Sequence, residues 1–224
     1  MVLGHNPTII TNGLILFLDT ANQKSYPGSG TNWTDLSGNG LNATISNNPT
    51  YSTSNNGILT FSAANAGATS TGTSSLYNFG TGDFSVECWI KTNGSGGFGP
   101  VFSLDNNLDG TGIIFYATTS TNNFRTWIAS SANNSTKIIA DNVWHQLVAC
   151  RASGTVSKYI DGVLDGTYSA VGSVLTNQNA KIGWNYGGGY AYTGSMSKVA
   201  VYNRALSATE VLNNFVALRG RFGV

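Results

Sequence analysis

The chain contains only two glutamates, Glu87 and Glu210, and two histidines, His5 and His145. Retaining glycosidases need two carboxyl groups about 5 to 5.5 Å apart, one as acid/base and one as nucleophile. Glu87 stands in Val86-Glu87-Cys88-Trp89 with no second acid at strand spacing, and Glu210 lies in a helical segment, so the two share no element. Nothing places two aspartates together on one strand. No serine has a recognisable base and orienting acid, and two distant histidines build no zinc site. His145 reads as a half-buried strand residue rather than a proton shuttle. The expectation is a protein that is not an enzyme.

Two stretches offer binding chemistry instead. Asp105-Asn106-Asn107-Leu108-Asp109-Gly110 follows the opening of a calcium loop, in which alternating oxygens converge on a hard cation. Asp105, Asn107 and Asp109 are the candidate Ca²⁺ ligands. The glutamate that closes such a loop is missing, because Tyr116 stands in its place, and the same residue types build ordinary tight turns. The second stretch runs Trp184-Asn185-Tyr186-Gly187-Gly188-Gly189-Tyr190-Ala191-Tyr192. Aromatic faces stack on sugar rings while neighbouring amides bond hydroxyls, so Trp184, Tyr186, Tyr190 and Tyr192 are the candidate carbohydrate-binding residues. The alternative is that these tyrosines cover a sheet or contact another subunit. The glycine triplet precedes no helix and therefore makes no phosphate cradle. Trp33 and Trp89 read as packing residues.

Such loops need a rigid frame, and composition says which kind. Charged residues make up 9% of the 224 residues and the net charge is +1. That excludes a basic nucleic-acid face and a polybasic membrane anchor. Gly, Asn, Thr and Ser together form nearly half of the chain, which disfavours helices and supplies turns to many short strands. The aromatic content, 11%, demands a packed interior. Phe84 to Lys91 alternates, with Phe84, Val86, Cys88 and Ile90 on one face and Ser85, Glu87, Trp89 and Lys91 on the other. Further strands are expected at 14–18, 57–61, 100–104, 112–117, 124–129, 136–140, 144–151, 156–160, 181–184 and 195–202. Asp161-Gly162 signals a tight hairpin, and residues 25–49 read as a long ordered loop. Ser207-Ala-Thr-Glu210 fits a capping box that opens one short helix with an apolar stripe of Val211, Leu212, Phe215, Val216 and Leu218.

Cys88 and Cys150 are too few for a disulfide scaffold and read as buried thiols or as a single bridge. The amino-terminal stretch has no cationic region ahead of its apolar run, which Asp19 interrupts, so neither a signal peptide nor a transmembrane segment is expected.

In order, DFSVECWIK from Asp83, NVWHQLVACR from Asn142, KYIDGVLDG from Lys158, KIGW from Lys181 and GSMSKVAVYNRALSATEV from Gly194 resemble the laminin-G-like, concanavalin A-like jelly-roll family. The resemblance covers roughly residues 13 to 216 and implies an all-β, two-sheet antiparallel sandwich with one short C-terminal helix. The division expected from it is an N-terminal arm (1–12), the sandwich (13–218) and a C-terminal tail (219–224). The front end, NGLILFLDTANQKSYPGSGTNWTDLSGNGLNATISNNPTY from Asn12, is similar to a version of this module in structural proteins of tailed bacteriophages. Where the common family form carries an acidic stretch after the early strand, Phe61 is followed here by SAANAGATSTG, which weakens any ligand site borrowed from there. The resemblance implies a non-catalytic virion component, a capsid decoration or a tail or fibre module, whose partners are other virion proteins, copies of itself and glycans. The alternative is a lectin-like module whose main role is adhesion to host-surface glycans.

Overall fold

The computed structural model describes residues 8–47, 49–62, 67–70, 74–94, 98–105, 111–118, 121–174, 179–184 and 191–224. Two antiparallel sheets face one another. The first runs, in spatial order, β14 (Val163–Ser169), β13 (Thr155–Ile160), β12 (Trp144–Ala152), β7 (Phe84–Lys91), β16 (Gly194–Tyr202), β5 (Ile58–Phe61) and β4 (Thr50–Ser52), and β1 (Leu14–Asp19) also pairs β16. The second runs β11 (Ser131–Ile138), β10 (Asn123–Ile128), β9 (Ile113–Thr118), β8 (Phe98–Leu104), β15 (Lys181–Ile182), β6 (Gly67–Ser70), β3 (Ala43–Ser46) and β2 (Asn32–Trp33). A single α-helix, α1 (Ala208–Phe222), follows β16.

Period-two alternation decides which side chains enter the core. Phe84, Val86, Cys88 and Ile90 of β7 point between the sheets and meet Phe102, Phe115 and Phe124 of the second sheet, with Trp33 and Phe61 in the same buried cluster. The Asp161-Gly162 hairpin forms as expected. Both residues have positive φ, 55° and 77°, the pair of angles that a two-residue turn between twisted strands requires.

The outer face of the first sheet carries a second apolar layer, and α1 covers it. Ser207 accepts from the Glu210 amide while the Glu210 side chain accepts from the Ser207 amide, so the capping box is complete. Val211 is buried with Phe17, Val148, Tyr202 and Leu206, while Phe215 and Phe222 stack on Trp89 at centroid distances of 5.8 and 4.2 Å. Ile9 and Ile10 join the same layer, and the Ile10 amide donates to Asn214 Oδ1 at 2.8 Å. The described end of the expected arm is thus part of the packed body.

Four expectations need correction. The 25–49 stretch contains β2 and β3, which are too short to show a period. Asp35 organises the turn between them, with its carboxylate accepting from the Phe17, Ser37 and Leu41 amides. The edge strand β11 starts at Ser131 rather than near Thr136, because its outer residues are polar and give no apolar signal. Residues 219–222, expected as part of a C-terminal tail, belong to α1, and Phe222 is buried. Leu212 and Val216 are exposed, so the buried side of the helix is narrower than the apolar stripe. Cys88 and Cys150 are both buried and free; Cys88 faces the inter-sheet core and Cys150 lies under the helix layer.

Candidate functional site on the second sheet

The outer face of the second sheet is built by register. Trp127, Ile114, Ser103 and Lys181 are direct partners across β10, β9, β8 and β15, so all four side chains leave the same face. At roughly 4.8 Å per strand, the row spans about 14 Å. A second row places Arg125 opposite Tyr116. The β10 sequence explains this placement: Phe124, Thr126 and Ile128 are buried inward, which forces Arg125 and Trp127 outward. No described helix lies over this face.

Rings and cations are interleaved there. The Arg125 guanidinium carbon lies 5.5 Å from the Phe98 ring centroid and 5.8 Å from that of Trp127. Phe98 meets Tyr116 edge to face at 5.5 Å. Lys181 Nζ lies 5.9 Å from the Trp184 ring, and burial lowers the lysine pKa against the opposing pull of Asp105. Arg125 Nε, Trp127 Nε1 and Trp184 Nε1 are buried with no hydrogen-bond partner among the described residues. A buried donor without an acceptor costs roughly 1 to 3 kcal/mol, so these three N–H groups are better satisfied by an incoming oxygen. The combination of flat apolar rings with unsatisfied donors suits a polyhydroxylated ring.

Among the residues expected from sequence to bind carbohydrate, Trp184 is half-buried and reaches this face. Tyr192 does not. It is 1% exposed, stands edge-on to Phe61 in the inter-sheet core, and donates its hydroxyl to the Lys91 and Ser195 carbonyls at 2.9 and 3.1 Å. Its ring face cannot stack on a ligand. Tyr186 and Tyr190 lie outside the described residues, as do Asn107 and Asp109. Asp105 is 2% exposed at the end of β8, and its carbonyl accepts from Lys181 Nζ at 3.4 Å. Lys181 Nζ thus stands between the first residues of the two sequence stretches, Asp105 and Trp184, while Tyr192 packs beside Gly99 at the other end of β8. No cluster of three metal-ligating side chains occurs among the described residues.

The carboxylates that could do acid/base work are tied into structure. Glu87 is fully buried under α1 and accepts from Lys198 Nζ at 2.7 Å, Gln146 Nε2 at 3.2 Å and Asn214 Nδ2 at 2.8 Å. Hydrogen bonds from Arg204 hold the Glu210 pKa at about 2. His145 is 3% exposed, not half-buried, with Nδ1 2.8 Å from Asp161 and Nε2 3.2 Å from Asp141. Burial opposes its charged form, but the two carboxylates outweigh burial and raise its pKa. Lys137 also reaches Asp161 at 2.6 Å, so this cluster fastens the Asp161-Gly162 hairpin to β12 and β11.

A two-layer antiparallel sandwich closed by one C-terminal helix, with half-buried tryptophans on a sheet face that no described helix covers and its glutamates locked away, defines a jelly-roll module of lectin type. Residues 64–212 match the laminin G 3 family of the concanavalin A-like lectin/glucanases superfamily, and the chain belongs to that family. A comparison with curated proteins finds no match.

Among solved structures, Trypanosoma rangeli sialidase in complex with 2,3-difluoro-KDN is similar with a TM-score of 0.71 at 21% identity, over 98% of this chain and 36% of the sialidase chain. The same sialidase with sialic acid gives 0.68 at 20% identity, over 93% and 33%. The receptor-binding domain of botulinum neurotoxin D gives 0.71 at 14% identity, over 92% and 52%. The chain therefore spans about a third of the sialidases and about half of the toxin domain, and the likeness is one of fold.

The sequence reading missed Arg125 and Trp127. Their signal is the alternation Phe124-Arg125-Thr126-Trp127-Ile128, which places a cation and a ring on the polar side of a strand.

Proposed function

We propose that this chain is a non-catalytic binding module that holds glycans on the outer face of its second sheet. The observation that carries the reading is the set of Trp127, Arg125 and Trp184 on this face, where Trp127 Nε1, Arg125 Nε and Trp184 Nε1 are buried without an acceptor among the described residues. The engagement of both glutamates in structural hydrogen bonds supports binding without cleavage. The similar solved structures, a sialidase bound to sialic acid and a toxin receptor-binding domain, are in keeping with recognition of sugar-bearing surfaces. Trp127→Ala should reduce retention on a glycan array at least tenfold while leaving the fold intact; full retention overturns the reading.

The front-end sequence from Asn12 favours a place for this module on a tailed-bacteriophage particle, as a capsid decoration or a tail-associated component contacting other virion proteins and its own copies. Mass spectrometry of purified particles tests that placement. A fixed, high copy number is expected, and absence from intact particles overturns it.

A further inference from the structure

A separate concavity of about 250 Å³ opens at the rim of the first sheet, beyond the end of α1. Its geometry follows from register. Lys91 of β7, Ser195 of β16 and Thr60 of β5 are direct partners across three adjacent strands, so an ammonium group and two hydroxyls leave one face in a line at strand spacing. Thr60 Oγ1 and Ser195 Oγ are 3.0 Å apart. Ser62, Asn142 and Thr193 complete the polar wall.

The walls are held rigidly. Tyr192 ties the Lys91 and Ser195 carbonyls together from beneath, Thr92 Oγ1 donates to the Thr193 carbonyl at 2.8 Å, and the Asn142 amide donates to the Thr92 carbonyl at 2.8 Å. Gly194 has φ +144°, and a Cβ there would strike the Lys91 carbonyl and the Tyr192 hydroxyl, so only glycine fits at this point of the wall. The Thr60 and Ser195 hydroxyls bond each other, and three further groups facing the concavity are uncommitted among the described residues. Lys91 forms no ion pair or side-chain hydrogen bond among the described residues, and neither does the Asn142 carboxamide or the Ser62 hydroxyl.

We infer that this concavity is a second ligand site, distinct from the aromatic face, and that it takes a single sugar unit bearing one anionic group. The reasons are charge count, donor pattern and size. One lysine matches one negative charge; the hydroxyls and the carboxamide offer donors and acceptors to a polyol; and the volume falls below the roughly 300 to 1,000 Å³ of sites that enclose larger ligands. This inference goes beyond the glycan-face reading and does not depend on it.

The test is an NMR titration of the isotope-labelled full chain with methyl glucuronide, methyl glucoside and acetate. Methyl glucuronide should shift the Thr92, Asn142 and Ser195 amides saturably, with the glucoside and acetate each at least tenfold weaker. Lys91→Gln should weaken glucuronide at least tenfold at an unchanged melting temperature, and Lys91→Arg should restore most of it. Ser62→Tyr, at an exposed position on the mouth, should block entry without touching the core. Equal binding of glucoside or acetate overturns the anionic-sugar assignment, and native-like binding by Lys91→Gln overturns the site. Trp127→Ala should leave the titration unchanged; loss of glucuronide binding in that variant means the ligand sits on the other sheet and overturns the separate site.

Discussion

The two outer faces of the sandwich differ in how far the chain itself completes them. On the first sheet, α1 and Ile9–Ile10 cover the surface, and the buried Glu87 finds Lys198, Gln146 and Asn214. Only the Trp89 indole N–H lacks a partner there among the described residues. On the second sheet, Arg125, Trp127 and Trp184 present the same kinds of groups with no described helix above them and no acceptor among the described residues for Arg125 Nε or either indole N–H. The comparison teaches that ring content alone does not mark a site. Trp89 and Trp127 are both outward-facing strand tryptophans, and what separates them is whether a neighbouring element has already taken the ring.

The sharpest way to break this contrast is to attack the completed face. Glu87→Ala leaves Lys198 buried without its carboxylate and should cost about 3 to 5 kcal/mol, read as a lowered midpoint in urea denaturation. Phe222→Ala removes a buried ring from the Trp89 and Trp144 stack and should cost about 3 kcal/mol, with glycan retention by the folded fraction unchanged. Trp127→Ala is the mirror case: retention falls at least tenfold, about 1.4 kcal/mol, while the urea midpoint moves little. A large stability loss in that variant would show the second face to be as complete as the first.

A smaller effect comes from the His145 cluster. Its raised pKa means that stability from the imidazolium is full below the ordinary histidine range and is lost as pH climbs through the raised value. Burial raises the pKa values of Asp141 and Asp161, but hydrogen bonds outweigh it, chiefly from the Val143 amide and then His145 to Asp141 and from His145 to Asp161, so both are depressed and give stability present above the ordinary carboxylate range and lost as pH falls through them. The melting temperature should therefore peak between those ranges, and His145→Gln should flatten the peak. The smallest effect concerns the calcium reading of Asp105, Asn107 and Asp109. If that loop binds the ion, a chelator lowers the melting temperature by mass action, and an unchanged melt retires it.

Much of the fold was legible because burial writes a period into strands and a cap into the helix. Phe84 to Lys91 shows its inner and outer faces directly, and Ser207 with Glu210 marks where α1 begins. The short strands β2 and β3 were not legible, since two to four residues carry no period. The site was less legible still. Tyr192 and Trp184 are eight residues apart in one aromatic run, yet one is a core residue and the other is half-buried on the outer face, because Trp184 bridges Ala191 and the pleat turns Tyr192, one residue on, to the opposite side. The Lys91–Ser195–Thr60 line depends on pairing among three distant strands and leaves no local trace.

One consequence follows from Ile10 and Phe222 lying on the same side. The Ile10 amide bonds Asn214 of the closing helix, and Phe222 ends that helix against Trp89, so Ile10 and the end of α1 both lie on the helix side of the sandwich. A tether engineered at the end of α1 would display the tryptophan-bearing surface outward from its support, whereas a tether in the Asp161-Gly162 turn would hang the molecule by its flank.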